Sequence, residues 1–182
     1  RATETHHPEV AAHFAMLAFA GLRAEELARL EAENVSPTGI ELGASITKKG
    51  RRRHITPCPT LTAWLKKHPF QPSANWRRLF DACRYLAGWK VRPPAATLHA
   101  HPLPKDFNDR PAWPQNGLRH SHASYAVAIG TPLQDLLFEF GHSASPAVLR
   151  THYKGRCEKK EAIEFFKILP AGTKAKTHIK IA

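Results

Sequence analysis

Gly117-Leu118-Arg119-His120-Ser121-His122-Ala123-Ser124, followed by Phe140-Gly141-His142-Ser143 and then Thr151-His152-Tyr153, is the stretch that decides how this chain reads. An arginine, a histidine and a tyrosine follow in that order, each at the edge of a helix-like segment. Arg119 offers a planar fork of N–H donors that matches two phosphate oxygens, His142 offers a further donor, and Tyr153 offers a phenolic oxygen as nucleophile. Such a set suits attack on a phosphodiester, and it calls for a second cation and a proton donor elsewhere in the chain.

Both have candidates upstream. Leu17-Ala18-Phe19-Ala20-Gly21-Leu22-Arg23-Ala24-Glu25-Glu26-Leu27 reads as a helix, a glycine break and a new helix opened by Arg23, whose first amides form an anion site. Thr47-Lys48-Lys49-Gly50-Arg51-Arg52-Arg53-His54-Ile55 reads as a hairpin with lysine at its turn, because a short β run precedes Lys48 and Gly50 permits the reversal.

Together these segments resemble the catalytic domain of the tyrosine recombinases, or phage-type integrases. The resemblance runs from about Val10 to Pro170 and rests on Gly-Leu-Arg-x-x-Glu-Leu from Gly21, Thr-Lys-x-Gly-x-x-Arg from Thr47, Leu-Arg-His-Ser-x-Ala-Ser from Leu118, Gly-His-Ser from Gly141, and Tyr153. It implies that Arg23 and Arg119 clamp the scissile phosphate, with His142 assisting. It also implies that Lys48, or Lys49 if the register slips, protonates the departing 5′ oxygen, and that Tyr153 forms a 3′-phosphotyrosyl link. No metal or other cofactor is implied. Double-stranded DNA is the implied partner, with assembly into a tetramer on two DNA sites and a cytoplasmic, bacterial or phage setting on a mobile genetic element.

Two positions depart from the pattern. Three residues before Arg119 the family carries histidine or lysine, and this chain carries Asn116. An amide hydrogen-bonds but exchanges no proton near neutral pH, which leaves activity intact, slowed, or dependent on a neighbour such as His120. The interval from His142 to Tyr153 is also longer than the family's, so an enlarged loop is expected around Ser145-Pro146.

Other readings stand beside this one. Arg23 followed by Glu26 suits an ordinary surface ion pair, and His120 suits a structural hydrogen-bonding role. A helix-turn-helix spacing over residues 118–140 suits a non-catalytic DNA-binding module with a decayed site. A type IB topoisomerase would use the same chemistry to relax DNA.

Charge narrows the partner. The formal net charge is +12, and residues 46–105 hold 13 basic side chains against one acidic. Arg51, Arg52, Arg53, Lys66, Lys67, Arg77 and Arg78 fall in this segment and are the expected DNA contacts, with salt-sensitive binding. Trp64, Trp76 and Trp89 are interleaved with them, but Trp76, Leu79, Phe80 and Cys83 follow the spacing of a buried helical stripe. Histidine is frequent, yet the tight pairs His99-x-His101 and His120-x-His122 lack cysteine or carboxylate at zinc spacing. Cys58, Cys83 and Cys157 are odd in number and form no CxxC, which suits a reducing compartment. No apolar run has the length of a membrane span.

The expected fold is α+β and mostly helical, with a small three-stranded antiparallel sheet over residues 35–57. Helices are expected around Val10 to Leu17, over Glu25–Glu33, Leu61–Lys67, Asn75–Trp89, Leu118–Ala128, Leu133–Phe140, Pro146–His152 and Glu158–Phe166. The proline-rich residues 91–115 read as a long irregular connection. Residues 1–170 would be one catalytic domain and 171–182 a basic tail that docks on a neighbouring protomer. By the same resemblance, the domain that precedes the catalytic one in integrases is expected to be absent from this stretch, as in a domain cut from a longer protein.

Overall fold

The computed structural model describes residues 2–47, 50–140, 147, 151, 153 and 157–173. Its helices are α1 (Ala2–His6), α2 (Ala11–Phe19), α3 (Ala24–Leu27), α4 (Pro59–Lys67), α5 (Trp76–Leu86), α6 (Ala95–Ala100), α7 (Gly117–Ile129), α8 (Leu133–Phe140) and α9 (Lys159–Phe166). Strands β1 (Ile40–Leu42) and β2 (Arg53–Ile55) pair antiparallel. Among the described residues no helix is long and apolar enough to cross a membrane.

Helix α2 is the axis of the molecule because its sequence is apolar on every side: Ala11, Ala12, Ala15, Met16, Leu17, Ala18 and Phe19 are all buried. A helix without a polar face must be covered all round. Its alanines let α4 and α7 approach, and α9 packs in turn on α7. Even its one polar side chain, His13, is buried against Phe70 and stacked on Trp76; burial draws its pKa down to about 4, so it is neutral at pH 7. The tryptophan stripe of α5 behaves as its spacing predicts, with Trp76 and Cys83 buried and Phe80 stacked on Phe14 at 4.2 Å. Trp64 is buried as well, and its indole N–H donates to the Ile168 carbonyl at 2.8 Å, fastening the segment after α9 onto α4.

Among the described residues the sheet has two strands, and the expected third is not seen. The third is reduced to a single bridge between Val35 and Ile40. The turn at Ser36, whose hydroxyl accepts from the Thr38 and Gly39 amides, sets Val35 opposite Ile40, but the residues just before Val35 are wound into the 3-10 turn at Ala32–Asn34 and cannot continue the pairing. The β run expected before Lys48 is likewise a turn, with the Ile46 and Thr47 amides both reaching back to the Gly43 carbonyl. The reversal itself lies where the sequence put it: Gly50 has φ +65° and its amide closes on the Thr47 carbonyl at 3.2 Å. Lys48 and Lys49 lie outside the described residues.

Two further corrections concern helices. The helix expected over Glu25–Glu33 stops at Leu27, and a separate 3-10 turn covers Ala32–Asn34. The Glu31 amide is captured there by the Asn34 side chain at 3.0 Å, which starts a new turn instead of continuing the old one. Within residues 91–115, α6 and a 3-10 turn at Phe107–Asp109 break up the irregular path, and Lys90 bridges to Ala112. The expected helix over Pro146–His152, the loop at Ser145-Pro146 and the tail from Lys174 lie outside the described residues, apart from Ala147 and Thr151, which are helical.

Candidate active site

The site begins with strand geometry. Side chains alternate across a strand, so Arg53 shares the inner face of β2 with buried Ile55 and sits opposite Leu42 of β1. It therefore points inward from a run whose other members, Arg51 and Arg52, are exposed. What it meets is Glu26, whose carboxylate is only 1% exposed and receives two Arg53 hydrogen bonds, at 3.0 and 2.7 Å.

Glu26 also closes the start of α3. It accepts the Arg23 amide at 2.9 Å and the Arg23 guanidinium at 2.8 Å, the arrangement in which the third residue of a helix caps its first. The anion site expected at this helix start is thus filled by the chain's own carboxylate. Burial alone raises the Glu26 pKa, but the hydrogen bonds from Arg53 and the Arg23 amide, with the charge of Arg53, outweigh it and hold the pKa below the ordinary value. The ion pair of Arg23 with Glu26 does form. It leaves the Arg23 side chain 28% exposed, with donors to spare.

Arg119 enters from the first turn of α7. Its side chain is 7% exposed and lies with its guanidinium carbon 4.1 Å from the centre of the Phe140 ring. One terminal nitrogen donates to the Gly21 carbonyl and the other to the Phe140 carbonyl at 2.9 Å. Gly21 makes this possible: its φ is +59°, and a Cβ there would stand 2.8 Å from Phe140 Cζ and 3.0 Å from His122 Cδ2. Burial, and next the positive charges of Arg23 and Arg53, pull the Arg119 pKa down to about 9, opposed by Glu26 and Tyr153. Arg119 remains charged at pH 7. Because the shift is downward, the cost of holding that charge is present in full below pH 9 and is relieved only as the pH rises beyond it.

Tyr153 stands at the open side. Its hydroxyl is 2.8 Å from His120 Nδ1, and the two rings are tilted by 31° with centres 6.0 Å apart. His120 follows Arg119 on α7, and successive helical residues diverge by about 100°, so one turns inward and the next outward. Arg119 reaches the Gly21 carbonyl, two residues before Arg23, and its neighbour His120 meets Tyr153, so segments separated by 96 and 34 positions are brought together. Lys48, Lys49 and His142 lie outside the described residues.

The start of α7 is set by Asn116, which takes the left-handed conformation at φ +52° as the residue preceding the helix. Beside it a hollow of about 420 Å³ opens between α5 and α7; Arg77, Arg84 and Arg119 line it against one carboxylate, Asp81. Of the other expected contacts, Lys66 and Arg78 are exposed. Lys67 is paired with Glu4 and Arg77 with Glu25. Among the described residues no three His, Cys, Asp or Glu side chains gather as metal ligands would.

The fold is similar to that of a recombinase. Superposed on the crystal structure of XerA recombinase, it gives a TM-score of 0.53 with 18% sequence identity, and the match covers 90% of this chain and 58% of that one. No protein-family model matches, and no curated protein does. The likeness is therefore one of architecture.

Three contributors go beyond the motif residues: Glu26 as the organiser of two arginines, Phe140 as the surface under Arg119, and buried His122, which packs between Phe140 and Phe166. Glu26 had a signal, since a carboxylate three residues after a helix start is the spacing of a cap. Phe140 had none, because its meeting with Arg119 is set by tertiary packing.

Proposed function

We propose that this chain is the catalytic part of a DNA strand transferase of the tyrosine recombinase type, cleaving and rejoining DNA through a 3′-phosphotyrosyl intermediate. The observation that supports the reading is that Arg119 donates to the carbonyl of Gly21, two residues before Arg23, while His120 beside it meets the Tyr153 hydroxyl, within a fold similar to a recombinase's. Arg119 supports it through its electrostatics: a buried cation beside two others is costly to hold, and a phosphodiester would offset that repulsion. The basic segment suits double-stranded DNA as the partner.

In this reading Tyr153 attacks the scissile phosphorus while Arg23, Arg119 and His142 receive the charge that builds on the phosphorane oxygens. Lys48 protonates the 5′ oxygen as it leaves. The covalent link keeps the bond energy, so a 5′ hydroxyl from a second duplex reverses the step and exchanges strands. Assembly as a tetramer on two sites, tail exchange through residues 171–182, and a role on a mobile element belong to the same proposal.

A second reading, a DNA-binding module without chemistry, is favoured by Asn116, where an amide stands in place of a proton-exchanging side chain. One experiment separates them. The chain and its Tyr153→Phe variant are incubated with a labelled pool of nicked suicide duplexes of randomised sequence and run on a denaturing gel. A covalent adduct lost in the variant is expected; retarded DNA with no adduct at any protein concentration establishes the binding module instead.

A further inference from the structure

We infer, resting on the strand-transfer reading above, that His120 is a catalytic residue of this chain, its Nδ1 taking the proton from the Tyr153 hydroxyl as that oxygen attacks phosphorus. A phenol is a weak nucleophile until its proton has somewhere to go. The 2.8 Å approach of His120 Nδ1 to the hydroxyl is within the range for direct transfer, with no intervening water needed. Asn116 does not compete for this role. It lies four residues earlier, one helical turn back on the same side of α7, and its amide has no lone pair that accepts a proton near neutral pH.

The helix gives His120 the complementary position to Arg119. One residue turns its cation inward onto Phe140, and the next turns its imidazole outward onto the nucleophile. His120 is exposed, so the proton it receives passes readily to and from solvent. For Nδ1 to accept, the neutral ring carries its hydrogen on Nε2.

The step balances. A bond forms from Tyr153 Oη to phosphorus and the bond from phosphorus to the 5′ oxygen breaks. The phenol proton moves to His120 Nδ1, and the 5′ oxygen takes its own from Lys48. Rejoining returns each proton along the same path.

The alternative is that His120 only orients the phenol, and acidity tells the two apart. His120→Gln keeps a hydrogen-bonding side chain without a proton acceptor. Single-turnover adduct formation on the suicide-duplex pool is expected to fall by about 100-fold or more in this variant, with DNA retardation unchanged. Replacing Tyr153 by a fluorinated tyrosine, whose hydroxyl is more acidic, is expected to recover most of the loss in His120→Gln while changing the parent chain little. A parent chain that forms adduct beside a His120→Gln variant slowed by less than about 3-fold overturns the inference and leaves the strand-transfer reading intact. A large loss that fluorination does not recover makes His120 a positioning residue and also overturns it. A parent chain that forms no adduct removes the strand-transfer reading, and this inference with it.

Discussion

Arg119 and Tyr153 occupy one electrostatic neighbourhood, yet the chain holds them in opposite ways. The arginine corner is buried and cross-braced: Glu26 ties the start of α3 to β2 through Arg23 and Arg53, while Arg119 is fixed by two backbone carbonyls and the face of Phe140. The tyrosine corner is less enclosed: Tyr153 is half-buried against the core, and its hydroxyl meets His120, an exposed side chain. In the proposed strand-transfer reading, a phosphate clamp gains from donors that need not move when charge arrives, whereas a nucleophile must leave its ground-state partner as its new bond forms. The difference predicts that stability resides in the first corner and reactivity in the second.

The largest effect should come from cutting the brace. Glu26→Gln leaves the two arginines facing one neutral amide in a buried setting, and removal of one partner from a buried pair typically costs about 3–5 kcal/mol. Urea unfolding should show that loss. The acid limb sharpens the test: the folded pKa of Glu26 lies below its ordinary value, so its stabilisation is full above about pH 4.5 and is lost as the pH falls through the folded value. Glu4, also lowered despite its burial because Lys67, the Ala171 amide and His68 bond to it, contributes in the same direction. The Glu26→Gln variant should therefore show a shallower decline of stability in acid than the parent; an unchanged acid limb would mean that Glu26 is not the brace.

Next is Gly21→Ala, aimed at the contact between the two halves of the arginine corner. A methyl group there adds left-handed strain and presses on Phe140 and His122, together costing about 2–4 kcal/mol. Because Phe140 lies under Arg119, DNA affinity should fall along with the melting temperature. A loss of stability with DNA affinity intact would separate the Phe140 platform from binding.

Legibility in the sequence divides along the same line. The long helices were readable because apolar periodicity and turn residues act locally: α4, α5, α7, α8 and α9 begin and end close to where their patterns do. The residues that converge were readable from motifs, Gly21 to Leu27 and Leu118 to Ser124 above all. What failed was whatever depends on alternation or competition over a few residues. Arg51, Arg52 and Arg53 look alike in a charge count, but strand pleat sends the third into the core. The third strand was lost to the 3-10 turn at Ala32–Asn34, where the Asn34 side chain captures the Glu31 amide.

Asn116 should matter less, as a hinge into α7 and not as part of the brace. At φ +52° asparagine is among the better-tolerated side chains, so Asn116→Ala should cost about 1 kcal/mol and Asn116→Gly close to nothing, measured by thermal unfolding. If the alanine variant also loses adduct formation while the glycine variant keeps it, the backbone conformation, and not the amide side chain, is what the site requires.

The smallest effect is the most telling for the comparison. His120→Ala removes an exposed side chain from the surface of α7, and its unfolding free energy should stay within about 0.5 kcal/mol of the parent. Its partner is a phenol that water hydrates equally well, so the lost hydrogen bond is replaced and little net stabilisation disappears. A drop as large as that of Glu26→Gln would place Tyr153 inside the same rigid framework as Arg119 and dissolve the contrast. Unchanged stability beside a collapse in adduct formation would instead locate the chemistry at the corner that contributes least to the fold, where a side chain that must change partners during each turnover can do so without loosening the clamp.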